Sequence, residues 1–163
     1  MNKVIIIGCP GSGKSTFARR LRDKTGLPLY HLDMLYWNED GTTVEKDVFL
    51  ERLRSVLSEP SWIIDGNYLS TMEMRLKECD TVFFLDYPAD ICLKGIAERK
   101  GKPRSDMPCN TPEDEDGEFV SFVKNFNQQT KPQITELISK YNSKKMISFT
   151  KREDAEFFWQ INK

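Results

Sequence analysis

Hydrophobic and polar positions along this chain follow two alternating rhythms. Short apolar runs give way to longer stretches in which apolar residues recur every three or four positions. Val4 to Ile7 is an unbroken, largely β-branched run and reads as a buried strand, and Thr16 to Lys24 reads as the helix that follows it. Gly26-Leu27-Pro28 ends that helix. Leu29 to Asp33 then predicts a second short strand that closes on a carboxylate, with an aromatic-rich turn at Met34 to Trp37 and a loop at Asn38 to Thr42. Phe49, Leu53, Val56 and Leu57 fall at i, i+4, i+7 and i+8, one face of a helix that ends before Pro60. Trp62 to Gly66 predicts a third strand, Thr71 to Lys77 a short helix, Thr81 to Asp86 a fourth strand stopped by Pro88, and Ala89 to Lys100 a helix. Phe119, Phe122, Val123 and Phe126 repeat at helical spacing. Pro132 restarts or kinks that helix, and Ile134, Leu137, Ile138 and Tyr141 continue its apolar face. Met146 to Phe149 reads as a last strand, and Thr150 with Glu153 as a capping box for a terminal helix through Trp159. The alternation predicts an α/β fold on a parallel sheet. Three strands ending in Asp33, Asp65 and Asp86 mark its carboxyl edge as the functional one.

Between the first strand and the first helix lies Gly8-Cys9-Pro10-Gly11-Ser12-Gly13-Lys14-Ser15, which matches the G-x-x-x-x-G-K-[ST] phosphate loop position by position. Gly8, Gly11 and Gly13 open backbone conformations that bring amides close to an anion, and the following helix aims its positive end at the same spot. Lys14 brings a compact charge to the outer phosphates, Ser15 offers a hydroxyl to Mg²⁺, and Ser12 and Thr16 complete the cradle. A nucleoside triphosphate, ATP with Mg²⁺, is the expected ligand.

Composition narrows the setting without changing that expectation. At 163 residues the chain suits one domain with a single core. Its net charge of −1 gives no general polyanion-binding surface, and Arg19, Arg20, Arg22 and Lys24 read as the solvated face of the first helix. Cys9, Cys79, Cys92 and Cys109 form no C-x-x-C pair and there is one histidine, so a zinc site is not expected and the cysteines suit a reducing cytosol. No stretch approaches the roughly 20 apolar residues of a membrane span, so the chain is expected to be a soluble cytoplasmic protein without a membrane partner.

Phosphoryl transfer needs a metal near the phosphates, a positioned acceptor and positive charge over the transferring group. Asp86 closes its strand in the manner of a Mg²⁺-holding carboxylate, with Ser15 as the other metal residue. Asp33, beside His31 and four residues before Trp37, is placed to meet the acceptor; any of the three aspartates alternatively caps its turn. His31 reads as a satisfied structural imidazole. Gly101 to Gly117 carries three prolines and almost no apolar residues, which suits a mobile lid better than a packed element. Arg99 ends the helix before it and Arg104 lies within it, both candidates to close over the phosphates. Arg75 either binds an acceptor phosphate or decorates its helix.

The order GCPGSGKS, LYHLDMLYW, IIDGNY, MRLKECDTVFFLDYP, GKPRSDMP resembles the bacterial DNA topology modulation protein family, small P-loop proteins similar to adenylate kinase and other nucleoside monophosphate kinases. The resemblance runs from Met1 to about Tyr141. It implies a three-layer α/β/α P-loop NTPase fold with a five-stranded parallel sheet in the order 2-3-1-4-5, as one domain over 1–163 with a lid near 100–118. Asp65-Gly66 falls where adenylate kinases carry D-G-F-P-R, but Asn67-Tyr68 replaces the rest, so the acceptor need not be AMP. Arg99 falls at a lid arginine of those enzymes, Gly95 replaces the arginine that packs on the ATP base there, and the second half of the lid is acidic.

The reading is therefore an ATP-dependent kinase passing the γ-phosphoryl group to a nucleoside monophosphate or similar small acceptor. Lys14, Asp33, Arg99 and Arg104 are its catalytic candidates, and Asp33, Trp37, Asp65 and Arg75 its acceptor-binding ones. The alternative is a nucleotide-responsive regulator of DNA topology. Its DNA contacts require clustered Lys and Arg, which this near-neutral chain shows only on the first helix. A GTPase switch is excluded for lack of an N-K-x-D segment after an apolar strand.

Overall fold

The computed structural model describes residues 1–109 and 117–161. Five strands form one parallel sheet: β1 Lys3–Gly8, β2 Leu29–His31, β3 Trp62–Asp65, β4 Thr81–Leu85 and β5 Lys145–Phe149, in the order β2-β3-β1-β4-β5. This is the order 2-3-1-4-5 of the sequence reading. Parallel strands need crossovers, and here each crossover carries a helix, so the central strands are covered on both faces. Every residue of β3 and β4 is buried, as is β1 beyond Lys3, and these are the near-continuous apolar runs of the sequence. The edge strands β2 and β5 are partly exposed.

The helices are α1 Lys14–Thr25, α2 Leu32–Tyr36, α3 Lys46–Ser58, α4 Leu69–Glu78, α5 Ala89–Arg99, α6 Gly117–Gln129, α7 Lys131–Ser139 and α8 Arg152–Ile161. Phe17, Ala18 and Leu21 are the buried face of α1. Phe17 packs its ring 5.0 Å from Phe83 of β4 and 4.6 Å from Trp159 of α8, so the helix that carries the phosphate loop is locked to the sheet by aromatic contacts. None of the described helices is long and apolar enough to cross a membrane.

Three boundaries differ from the sequence reading. β2 ends at His31, not Asp33, and the expected aromatic turn is the helix α2, with Asp33 in its first turn. Leu32, Leu35 and Tyr36 fall at helical spacing and turn inward, a period too short to separate from strand alternation in so brief a run. Asp86 lies just past β4. At α8 the expected Thr150/Glu153 box is shifted by one residue: Asp154 accepts the Lys151 backbone N–H at 3.2 Å. In the first half of the expected lid Asp106 and Met107 are buried, while Gly101, Lys102, Pro103 and Ser105 are exposed. The lid's acidic second half lies outside the described residues.

Candidate functional site

At the carboxyl edge of the sheet a cleft of about 820 Å³ opens between α1, α2, the turn after β3, the Lys102–Met107 segment and α8. Its floor is the loop between β1 and α1. Gly11 sits at φ +83°, and a Cβ there would strike the Cys92 carbonyl oxygen of α5. The contact is reciprocal, since a Cβ on Gly95 would strike Gly11 O, with the Arg152 guanidinium lying over the same spot. Position 95 therefore has no room for an arginine while α5 touches the loop. Gly13, at φ +89°, is the N-cap of α1 and has no side-chain cap, which leaves the amides of the first turn open to an anion. Lys14 Nζ folds back onto Cys9 O at 3.2 Å, and the buried Ser12 Oγ has no partner among the described residues. Asn67 braces the loop from the neighbouring strand: its Nδ2 donates to Gly8 O at 2.7 Å and its Oδ1 accepts from Gly8 N at 3.1 Å.

Beside the loop, charged and hydroxyl groups converge on Ser15. Its Oγ lies 2.7 Å from Asp65 Oδ2 and 3.0 Å from Asp106 Oδ2. One hydroxyl proton cannot serve both carboxylates, so two acceptors face the same oxygen. His31 Nδ1 stands 2.8 Å from Asp65 Oδ2; with Asp65 ionised, the Nδ1–H tautomer donates. Asp65 Oδ1 is buried and has no partner among the described residues, although the residue is only 4% exposed. Burial pushes the Asp106 carboxyl up, but the Arg104 guanidinium at 2.8 Å and the Ser15 hydroxyl outweigh it and hold the group at about 2.

This donor set fits a small hard cation. It offers a hydroxyl, an orphaned carboxylate oxygen and a second carboxylate, all oxygen. No group of three or more His, Cys, Asp or Glu that could hold a metal is found among the described residues; Mg²⁺ held here would take its remaining ligands from phosphates and water.

A second carboxylate region lies across the cleft at Asp33. The Tyr68 hydroxyl donates to Asp33 Oδ1 at 2.7 Å, and Arg104 Nη2 lies 3.9 Å from Asp33 Oδ2. Burial raises the Asp33 carboxyl above its ordinary range and Asp65 adds to this; the Tyr68 hydrogen bond, Arg104 and Lys14 work against it. Tyr68 is the one described non-glycine residue at positive φ (37°), and it heads α4. Its ring is wedged between Tyr36, at 5.2 Å, and Phe49, at 5.4 Å, and its hydroxyl also meets the Trp37 side chain.

The structure gathers many, not all, of the residues expected from sequence. Gly11, Ser12, Gly13, Lys14, Ser15, Thr16, Asp33, Asp65, Arg99 and Arg104 line the cleft. Gly8 does not line it; Asn67 holds it at the start of the loop. Three expected residues stand elsewhere. Asp86 is off the cleft, just past the end of β4, with its carboxylate 2.7 Å from Lys131 Nζ; the carboxylate beside Ser15 is Asp65 instead. Arg75 is 0% exposed and cannot touch an acceptor. Its Nη1 donates to Gly66 O at 2.9 Å, and its Nη2 to the carbonyls of Asn67 and Tyr68. Burial pulls its pKa down to about 9, so it stays charged at neutral pH and fixes the turn that presents Asn67 and Tyr68. Trp37 stands behind Tyr68, not on the cleft wall.

Sequence reasoning assigned no role to Asn67, Tyr68, Asp106 or Arg152, all of which line the cleft. A signal for Asp106 was present in the G-K-x-R-x-D-M stretch. Asn67 and Tyr68 directly follow a strand-end Asp-Gly.

No protein-family model matches the chain. It is 29% identical over 94 residues to the adenylate kinase of Thermotoga neapolitana, covering 56% of this chain and 42% of that one. To the shikimate kinase of Rhodococcus jostii it is 27% identical over 116 residues, covering 62% and 68%. To the adenylate kinase of Mycobacterium leprae it is 30% identical over 107 residues, covering 61% and 57%. The matched stretch thus spans about half the length of these adenylate kinases. Among solved structures, the shikimate kinase of Acinetobacter baumannii in complex with shikimate superposes with a TM-score of 0.58 at 16% identity, over 99% of this chain and 93% of that one. The shikimate kinase of Bacteroides thetaiotaomicron gives 0.62 at 17%, over 98% and 94%. The chain has the three-layer P-loop kinase fold.

Proposed function

We propose that this chain is a cytoplasmic ATP-dependent phosphotransferase that passes the γ-phosphoryl group to a small-molecule acceptor. One observation carries the reading: Ser15 of the phosphate loop lies within hydrogen-bond reach of Asp65 and Asp106, with Asp33 across the same cleft. The similarity to adenylate and shikimate kinases supports it. The four free cysteines suit a reducing compartment. The resemblance to DNA topology modulation proteins rests on motif order, and the proposal takes from it the kinase-like site.

In this reading the loop amides, Ser12 and Lys14 receive the triphosphate. Ser15 and Asp65 hold Mg²⁺, which when bound neutralises charge on the outer phosphates. Arg99 and Arg104 place positive charge over the transferring group. Arg152 and Trp159 of α8, with Arg20 stacked 4.9 Å over the Trp159 ring, wall the side of the cleft where the nucleoside extends. Asp33 receives the acceptor's proton, helped by burial that makes it a stronger base than a surface carboxylate. The test is Lys14→Ala: Mg-ATP binding and ADP release are both expected to fall to background, and unchanged turnover overturns the proposal.

A further inference from the structure

The two walls of the cleft differ in charge, and the difference bears on what is phosphorylated. Basic residues line the cleft from α1 (Lys14, Arg19, Arg20), from α8 (Arg152) and from the end of α5 and the segment after it (Arg99, Lys102, Arg104). They outnumber the acids on the same side, Glu98, Asp106 and Glu156, of which Glu156 pairs with Arg20 and Glu98 with Arg152. The opposite wall, α2 with the turn after β3, contributes Asp33, Asp65, Gly66, Asn67 and Tyr68, and no Lys or Arg. Arg104 reaches across it, with Asp106 at 2.8 Å and Asp33 at 3.9 Å already beside its guanidinium. Arg75, the cation behind this wall, is fully buried and spends its Nη hydrogens on three backbone carbonyls. The basic residues of α3, Lys46, Arg52 and Arg54, do not line the cleft, and Arg52 donates to Leu35 O.

A phosphomonoester acceptor brings close to two negative charges and three strong acceptor oxygens, and such groups are gripped by Arg or Lys. At this wall it would meet carboxylates. A hydroxyl group meets what it needs there: an acceptor for its proton at Asp33 Oδ2, and no excess positive charge.

Resting on the kinase reading above, we infer that the phosphoryl acceptor is a hydroxyl group of a small molecule that carries no phosphate and is neutral or cationic. The acceptor oxygen bonds to the γ-phosphorus as the bond from that phosphorus to the β–γ bridging oxygen breaks. ADP leaves with that electron pair. The hydroxyl proton passes to Asp33 Oδ2 and from there to solvent, so the products are a phosphate monoester, ADP and a proton.

Two measurements on the full chain test this. The first is ADP release from Mg-ATP with one panel of nucleosides, sugars, polyols and amino alcohols, and another of nucleoside monophosphates. A member of the first panel is expected to raise ADP release about ten-fold or more, with one phosphate ester formed per ADP, while every monophosphate leaves the basal rate unchanged. The second needs no knowledge of the acceptor. Two nucleosides joined through five phosphates span a triphosphate site and a phosphate-binding acceptor site together, and linkage adds affinity only when both ends are engaged. This probe is expected to bind within about ten-fold of the corresponding triphosphate. Tighter binding than that, or stimulation by a monophosphate, overturns the inference and leaves the kinase reading standing. No binding of the triphosphate, with Lys14→Ala indistinguishable from the native chain, overturns the kinase reading itself.

Discussion

On the proposed reading, the triphosphate end of the cleft is lined by one unbroken stretch, Pro10 to Thr16, whereas the acceptor end is assembled from α2 and the Gly66–Tyr68 turn, with Arg104 reaching across from the other side. At the first end, position in sequence is position in space, because a glycine-rich loop between a strand and a helix dictates its own shape. At the second, every group is aimed by a neighbour from another segment. Tyr68 holds Asp33, Arg75 holds the Tyr68 turn, and Arg104 bridges Asp33 and Asp106.

If the ends differ in this way, substitutions separate them. The largest effect is expected from Gly11→Ala. A Cβ there meets the Cys92 carbonyl and a positive φ, so ATP binding measured by calorimetry should be lost while the chain stays folded by circular dichroism. Asp33→Asn comes next: acceptor-dependent turnover should drop by about a hundred-fold or more, as for loss of a general base, with ATP affinity retained. Arg75→Met tests the support beneath the acceptor end. It strips three backbone carbonyls of their donor, at about 1–3 kcal/mol each for those left dry, so a thermal shift of several degrees with weakened turnover is expected.

Tyr68→Phe has a smaller, directional effect. With Asp33 as the proposed base, turnover requires its ionised form, so the rate is expected to fall as pH drops through its raised pKa. The Tyr68 hydroxyl opposes that rise, as do Arg104 and Lys14, while Asp65 adds to it. Removing the hydroxyl therefore moves the acid limb of the pH–rate profile to higher pH; a shift to lower pH contradicts the assignment. The smallest effect is expected from Asp86→Asn. It breaks a partly exposed pair with Lys131 outside the cleft, costing about 1 kcal/mol or less of stability, and turnover should be unchanged.

This contrast also explains what was legible in the sequence. The strands and the phosphate loop were, since buried parallel strands read as apolar runs and the loop is contiguous, while the sheet order came from the family resemblance. Asp33 and Asp65 were found by their place at strand ends, although Asp33 lies in a helix. Asp86 satisfied the same pattern, yet β4 stops before it and Lys131 takes its charge. A strand-end aspartate can be counted from sequence; the partner it finds cannot. Arg75 shows the same limit in reverse. Its charge suggested a ligand, while its place on the buried side of α4, beside Met72 and Leu76, turns it toward the backbone. Asn67, Tyr68 and Asp106 depend on contacts with Gly8, Asp33 and Ser15, up to 91 residues away in the chain, and no local spacing encodes those.

The division of the cleft is tested most directly by titrating ATP, with and without Mg²⁺, into the native chain, Asp33→Asn and Asp65→Asn. Asp65 stands beside Ser15 with an orphaned oxygen, and Asp33 stands across the cleft against Tyr68. The Mg²⁺-dependent gain in ATP affinity should persist in Asp33→Asn and fall by about ten-fold or more in Asp65→Asn. Loss of that gain in Asp33→Asn, or its survival in Asp65→Asn, contradicts the account.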